Sequence, residues 1–422
     1  MKTSWHPVLF DAMAKLRKRQ ALIIAKRNED RRPVKHLRAF STKEAATFLG
    51  ITESYLRVKI AEGDGFPQGE KSGSTRWFTL QEINRAREHL AAKSHDRYRV
   101  GKGEFDRPFV ITGANYKGGV GKSTITVHLA QYLALRGYRV LLVDLDAQGS
   151  TTSLFGLDPT WQVGFGENGE LLPGGATINA WIDRREGEDR QAAEQAIVET
   201  YWPNIDLVCA NARLQHVESL LAARKNSDRS TFGADRPYDM ELKGFVEHVG
   251  KPYDVVIFDT RPDISLLTLN AFTASNGLLL PILPSSVDLR SMADFLGYLG
   301  KIEQHNQQFL GSDWEGWQFI KIFCNRYVNT SRPQADMLES IEKDVHKDLR
   351  LADHMVETSA LATAGNIRWT LYEHAPAKSE DRSHKRALAA MDAIGLSIEN
   401  EILAYWGRAK KDRSAASQLM PA

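Results

Sequence analysis

Two textures of apolar and polar positions divide the chain. From Phe109 onward, short unbroken apolar runs alternate with longer helical stretches: FVITGANY at 109–116, RVLLVDLD at 139–146, IDLVCA at 205–210, DVVIFD at 254–259, GLLLPIL at 277–283 and FIKIFCN at 319–325. A strand that is apolar on both faces must be covered on both faces. The rhythm therefore predicts an α/β unit with a mostly parallel sheet between two layers of helices. Upstream of Phe109 the pattern is helical. Residues 8–30 contain no Gly or Pro and are rich in helix formers, up to Arg31-Arg32-Pro33, where proline disfavours continuation. Leu16, Leu22, Ile23 and Ile24 give this helix an apolar side, which packs either on its own chain or on a partner chain.

Residues 40–92 read as a helix-turn-helix with a wing. Ser41 and Glu44 form a capping box that opens a helix through Ala45, Ala46, Phe48 and Leu49. Gly50 turns the chain, Ile51 supplies a buried apolar residue, and Thr52 caps a second helix, Glu53 to Ile60. Lys71 to Phe78 is predicted as a turn and strand, the wing. Leu80, Ile83, Ala86 and Leu90 then share one face of a third helix. A short turn between two amphipathic helices is the geometry that lays the second in a major groove. On that reading Ser54, Tyr55 and Arg57 read bases, while Lys71 and Arg76 meet backbone or minor groove. A small helical unit used for protein contacts is the other reading. GKGEFDRP at 101–108 is a polar linker. The implied organisation is a helical dimerisation segment at 1–39, a winged helix-turn-helix at 40–100, the linker, an α/β domain at 109–408 and a tail at 409–422.

Charge supports a division at the linker. The 422 residues carry a net charge of only +2, yet residues 1–108 hold 23 Lys/Arg against 13 Asp/Glu, and the remainder holds 32 against 40. A basic N-terminal third on an acidic body fits a polyanion partner, most simply DNA, or a solvated basic surface. No apolar run approaches the roughly 20 residues that span a bilayer, and the N-terminus has charges where a signal peptide needs an apolar stretch, so the expected compartment is the cytoplasm. Cys209 and Cys324, the only cysteines, support neither a disulfide framework nor a metal site and read as small buried hydrophobes.

The candidate chemistry follows the first strand. Gly118, Gly119, Val120, Gly121, Lys122, Ser123 and Thr124 lead from strand to helix and satisfy the end of a P-loop pattern. Glycines let backbone N–H groups turn onto phosphate oxygens, and the helix N-terminus adds its dipole. Lys122 then reaches the β- and γ-phosphates of ATP, and the Ser123 hydroxyl coordinates Mg²⁺. Tyr116 stands where the ordinary motif has its first glycine, and Lys117 follows it. This Lys-Gly-Gly-x-Gly-Lys-Ser run resembles the deviant Walker A box of the ParA/MinD family. The resemblance implies an ATP-dependent homodimer in which Lys117 acts in trans on the partner's phosphates. It also implies that Asp146 orients the attacking water, that Asp144 lies near Mg²⁺, and that Asp259 ends the Walker B strand and holds Mg²⁺ through water. Asn325 and Arg326 fall where the family reads adenine, although a strand-end Asn also serves as a turn former. Where the family continues with two prolines, this chain has Thr260-Arg261-Pro262.

The order of motifs narrows the likeness. The helix, Phe40 to Ala46, Ser54 to Arg57, the P-loop, Thr370-Leu371-Tyr372-Glu373 and Ala404 to Arg408 together resemble the RepA partition ATPases of repABC plasmids, over roughly residues 8–408. That likeness implies plasmid partition by slow, Mg²⁺-dependent ATP hydrolysis. It also implies nonspecific nucleoid-DNA binding, a ParB/RepB-like centromere-binding partner that stimulates hydrolysis, and repression of its own operon. Lys378, Arg382, Lys385 and Arg386 are the candidate nonspecific-DNA surface, or else a solvated face. A repressor that merely senses nucleotide is the alternative function. An iron–sulfur relative would need more cysteines, and a membrane-bound one an apolar C-terminal helix that RAKKDRSAASQLMPA does not provide.

Overall fold

The computed structural model describes residues 11–408 apart from 13, 17, 20–34, 95–97, 99, 104–105, 158–176, 185–187, 227–237, 329, 360, 362–368 and 375–380. Of the helix expected over 8–30, residues 11, 12, 14–16, 18 and 19 are helical and Leu16 is exposed. Leu22, Ile23, Ile24 and the tail at 409–422 lie outside the described residues.

The first unit is built on β1 (Phe40–Ser41), β2 (Glu70–Ser72) and β3 (Thr75–Phe78), an antiparallel sheet in the order β1-β3-β2. Ser41 N donates to Glu44 Oε2 at 2.8 Å and Ser41 Oγ accepts from Glu44 N at 3.3 Å, which opens the helix Thr42–Leu49. Gly50, at φ 67°, ends it in a left-handed conformation that a β-carbon resists. Thr52 Oγ1 accepts from Tyr55 N at 3.2 Å and opens the second helix, Glu53–Glu62. The third helix, Leu80–Ser94, runs past the predicted Leu90.

The body is a seven-stranded sheet in the order β10-β9-β4-β8-β5-β7-β6. Its strands are β4 (Phe109–Gly113), β5 (Val140–Asp144), β6 (Val198–Glu199), β7 (Ile205–Val208), β8 (Val255–Asp259), β9 (Gly277–Ile282) and β10 (Phe319–Cys324). Six strands run parallel, and β6 pairs antiparallel with β7 at one edge. At two residues, β6 is too short for the apolar pattern to mark. Because β8 lies between β4 and β5, Gly113 is level with Asp259 and Asp259 with Asp144. Three central strands therefore end in one row. Cys209 and Cys324 are free and buried, and burial pushes both thiols up to about 12. Among the described residues no helix is long and apolar enough to cross a membrane.

The small unit and the body share one core. Phe40, Leu56, Phe78 and Leu90 belong to the same apolar cluster as Leu133, Tyr138 and Ile394. Arg87 of the third helix is buried and donates to Phe48 O at 3.1 Å and to Leu135 O at 2.9 Å. It thereby caps the end of the helix Lys122–Leu135. The segment expected to be a linker is also tied down. Lys102 N donates to Asp254 Oδ1 at 2.8 Å, and Trp406 Nε1 donates to Arg107 O at 3.3 Å. Its polar composition reflects partners at the base of the sheet, far away in sequence.

Candidate functional site

β4 ends at Gly113, and the chain loops through 114–121 into the helix Lys122–Leu135. Gly119 and Gly121 take φ 77° and 91°. A β-carbon on Gly121 would also lie 2.2 Å from Asn325 Nδ2, so that position is closed to any side chain twice over. Asn325 donates to Val120 O at 2.7 Å and its Oδ1 accepts from Arg326 N at 3.0 Å. Its amide braces the loop, and exposed Arg326, at φ 54°, stands beside it.

Lys122 is only 7% exposed. Burial lowers its pKa, while the charges of Asp259, Asp146 and Asp263 oppose that shift. Its ammonium donates to Lys117 O at 3.5 Å. Lys117 has a different setting. Its Nζ donates to Asp288 Oδ2 at 2.8 Å, in the first turn of the helix Ser286–Phe309. The residue expected to act across a dimer is thus paired within its own chain. Asp288 is buried, and its Oδ1 takes no hydrogen bond from any described residue.

The row of strand ends gathers the carboxylates. Asp259 Oδ2 accepts from Thr151 Oγ1 at 2.7 Å, and Asp259 Oδ1 takes no hydrogen bond from a described residue. Burial pushes this carboxyl up to about 6, offset only in part by the hydroxyls of Ser123 and Thr151 and by Lys122. A buried, unpartnered carboxylate oxygen beside a serine hydroxyl fits a divalent cation. Asp144 does not offer the same. Its Oδ1 accepts from Asp146 N at 3.2 Å, and its Oδ2 accepts from Thr152 N and Thr152 Oγ1, each at 2.8 Å. Both oxygens accept from the following turn, so Asp144 braces the segment that carries Asp146. Burial and then the charge of Asp259 raise its pKa. Asp146 is partly exposed and accepts only locally, from Gln148 N at 3.0 Å. Thr151, Thr152 and Asp288 were missed from the sequence. The hydroxyl run Ser150-Thr151-Thr152 directly after a strand-end carboxylate pair was the available signal for two of them.

Asp259 contributes to the pH dependence, in the same direction as buried Asp144 and Asp392. Its folded pKa of about 6 lies above the unfolded value of about 4, so the fold holds this proton longer. Stability from this group is therefore full below about pH 4 and is lost as pH rises through about 6. Without nucleotide, Asp259→Asn is expected to gain stability on the wild type as pH rises through that window and to keep the gain above it, read from denaturant melts at each pH.

In the small unit, Ser54, Tyr55, Arg57 and Lys71 are exposed and Arg76 is half-buried. Arg57, Gln68, Lys71, Ser74 and Arg76 line one concavity of about 500 Å³ between the second helix and the hairpin. Arg57 is paired with Glu53 at 2.6 Å, and Arg76 is held by the carbonyls of Gln68 and Gly69. On the C-terminal helix Asp381–Tyr405, Arg382, Lys385 and Arg386 are exposed, with Lys385 paired to Asp381 at 2.8 Å. Lys378 lies outside the described residues.

Comparison with known proteins gives a consistent family. A family model described as an AAA domain matches residues 109–311. A protein named "Putative replication protein A" from Rhizobium rhizogenes is 31% identical over 384 residues, 89% of each chain. Protein SopA of Escherichia coli strain K12 is 28% identical over 89% of this chain and 91% of its own. A solved structure titled "Partition Protein" superposes with a TM-score of 0.62 at 18% identity, over 93% of this chain and 98% of that one, a likeness of fold.

Proposed function

The chain belongs to the ParA/MinD family of P-loop ATPases, and from that premise we propose that it is a plasmid-partition ATPase whose ATP-closed homodimer binds DNA. The observation that carries this reading is the presence near one loop of a buried lysine, Lys122, a second, partly exposed one, Lys117, and the charge of Asp259 acting on Lys122.

Gly118 to Thr124 bind the phosphates of ATP through backbone N–H groups, and Lys122 neutralises the β- and γ-phosphates. Ser123 and Asp259 would hold Mg²⁺, which would supply further neutralisation of that charge. Asp146 orients a water for attack on the γ-phosphorus. As the water oxygen bonds to that phosphorus, the bond from phosphorus to the β,γ-bridging oxygen breaks, the electron pair leaves with ADP, and the water's proton leaves with the released phosphate. Lys117 leaves Asp288 and reaches the phosphates of a second copy, which makes nucleotide part of the dimer interface. A cation so placed is worth on the order of 10³-fold in related phosphoryl-transfer sites. Hydrolysis then reopens the dimer, so the enzyme serves as a timer for DNA binding, stimulated by a ParB/RepB-like partner at the plasmid centromere. The protein acts in the cytoplasm on the nucleoid. Arg382, Lys385 and Arg386 suit bulk DNA, binding that should weaken steeply with salt.

The winged segment suits a second task, repression of its own operon, with Ser54, Tyr55 and Arg57 at base edges and Lys71 and Arg76 on the backbone. Arg57→Ala is expected to weaken operator binding by about 1–3 kcal/mol while ATP-dependent binding to bulk DNA stays intact, measured by fluorescence anisotropy on both DNAs. Loss of both activities together would show that one surface serves both. A nucleotide-sensing repressor without a segregation role is the competing reading. It is distinguished by DNA binding that ignores nucleotide.

A further inference from the structure

Where its family carries two prolines, this chain places a cation, and its setting suggests a use. Thr260, directly after Asp259, donates from Oγ1 to Gly113 O at 2.9 Å, which fixes the segment against the base of the P-loop. Pro262 lies 3.9 Å from where a β-carbon of Gly118 would be. Arg261 is thus held between two residues that touch the nucleotide loop or its root. Its Nε donates to Asp263 Oδ2 at 2.9 Å, with both side chains about one-third exposed. Asp263 is anchored in turn, accepting from Thr268 Oγ1 at 3.4 Å, and its charge acts on Lys122.

The aspartate acts on the phosphate-binding lysine and has the arginine as its ion-pair partner, so arginine and aspartate form an exchangeable pair. A carboxylate satisfies one edge of a guanidinium, and a phosphate can satisfy it better, with two parallel charge-assisted hydrogen bonds. A partly exposed ion pair is worth little in water, so a polyanion arriving at the loop can displace Asp263 at small cost. A nucleoside triphosphate carries the added negative charge of a terminal phosphate. ADP lacks that group.

We propose that Arg261 is a phosphate-binding residue supplied in cis, held in reserve by Asp263 and released onto the terminal phosphate of a nucleoside triphosphate. It gives this chain a means to distinguish ATP from ADP before any second copy arrives with Lys117. The proposal rests on the ATPase reading above and deepens it.

The test is equilibrium binding of fluorescent ATP and ADP analogues, each with Mg²⁺, to the full chain at a concentration where it is monomeric. The wild type is compared with Arg261→Ala, Arg261→Lys, Asp263→Asn and Lys122→Ala. Arg261→Ala is expected to weaken the triphosphate about tenfold and the diphosphate less than about threefold. Arg261→Lys, which keeps the charge and loses the fork, should recover part of the difference, and Asp263→Asn should tighten the triphosphate alone. Equal effects of Arg261→Ala on both nucleotides, or none on either, would overturn the proposal while leaving the ATPase reading in place, provided Lys122→Ala still abolishes binding. A wild-type chain that bound neither nucleotide would overturn both.

Discussion

Lys122→Ala and Lys117→Ala are each expected to lower ATP hydrolysis by about 10³-fold, and to differ in every other respect. The two lysines sit five residues apart on one loop in opposite physical states. Lys122 is buried, desolvated and weakly bonded, so its truncation removes a strained cation from the nucleotide-free fold. The variant should fail to bind nucleotide yet melt no lower than the wild type. Lys117 is partly exposed and neutralises Asp288, whose carboxylate is 3% exposed and whose other oxygen is unpartnered. Removing Lys117 strands that buried charge. Lys117→Ala should therefore bind nucleotide as a monomer, fail to dimerise and melt lower than the wild type. Asp288→Asn, combined with it, should restore the melting temperature without restoring hydrolysis. Calorimetry and nucleotide binding on the three variants separate these effects.

The largest loss of stability is expected at Glu373. This carboxylate is 2% exposed and accepts from Trp202 Nε1 at 2.7 Å, Thr370 N at 2.9 Å, Lys35 Nζ at 3.2 Å and Gln131 Nε2 at 3.3 Å, with Tyr201 OH as a fifth donor. Four of those donors come from three distant parts of the chain, including the P-loop helix, and the remaining one, Thr370 N, is three residues away. Glu373→Ala leaves them facing an empty space, and a broken buried pair of this kind costs about 3–5 kcal/mol. Glu373→Gln keeps the acceptor and much of the volume and should cost markedly less. Urea unfolding of both variants checks the ordering. If Ala and Gln cost the same, the charge on Lys35 is what matters and the network of neutral donors is not.

The contrast between these two places shows what a sequence carries. The P-loop was legible because its chemistry is local: glycine spacing, a lysine, a serine and a strand before them. The parallel sheet was legible because β4, β5, β8 and β9 are apolar on both faces. The Ser41–Glu44 capping box and the Gly50 turn were legible for the same reason, since each is closed within a few residues. Glu373 was legible only as part of a family-like motif, because four of its five donors are set by tertiary packing. The pairing of Lys117 with Asp288 spans 171 positions and Arg87 with Leu135 spans 48. Neither separation leaves a periodicity to read. The bonds of Asp144 were not legible, because strand-end position places a carboxylate in the crevice without saying what its oxygens accept from. Thr152 takes one of them twice.

The central claim is that nucleotide governs DNA binding through a dimer. Sedimentation of the purified chain with nonspecific duplex DNA, under ATP, ADP and no nucleotide and beside Lys117→Ala, tests it most directly. Co-sedimentation with ATP alone, absent in the variant, is the predicted result. Binding that is equal in all three conditions, or unchanged in the variant, would contradict the account and leave a DNA-binding protein whose ATPase fold plays no part in holding DNA.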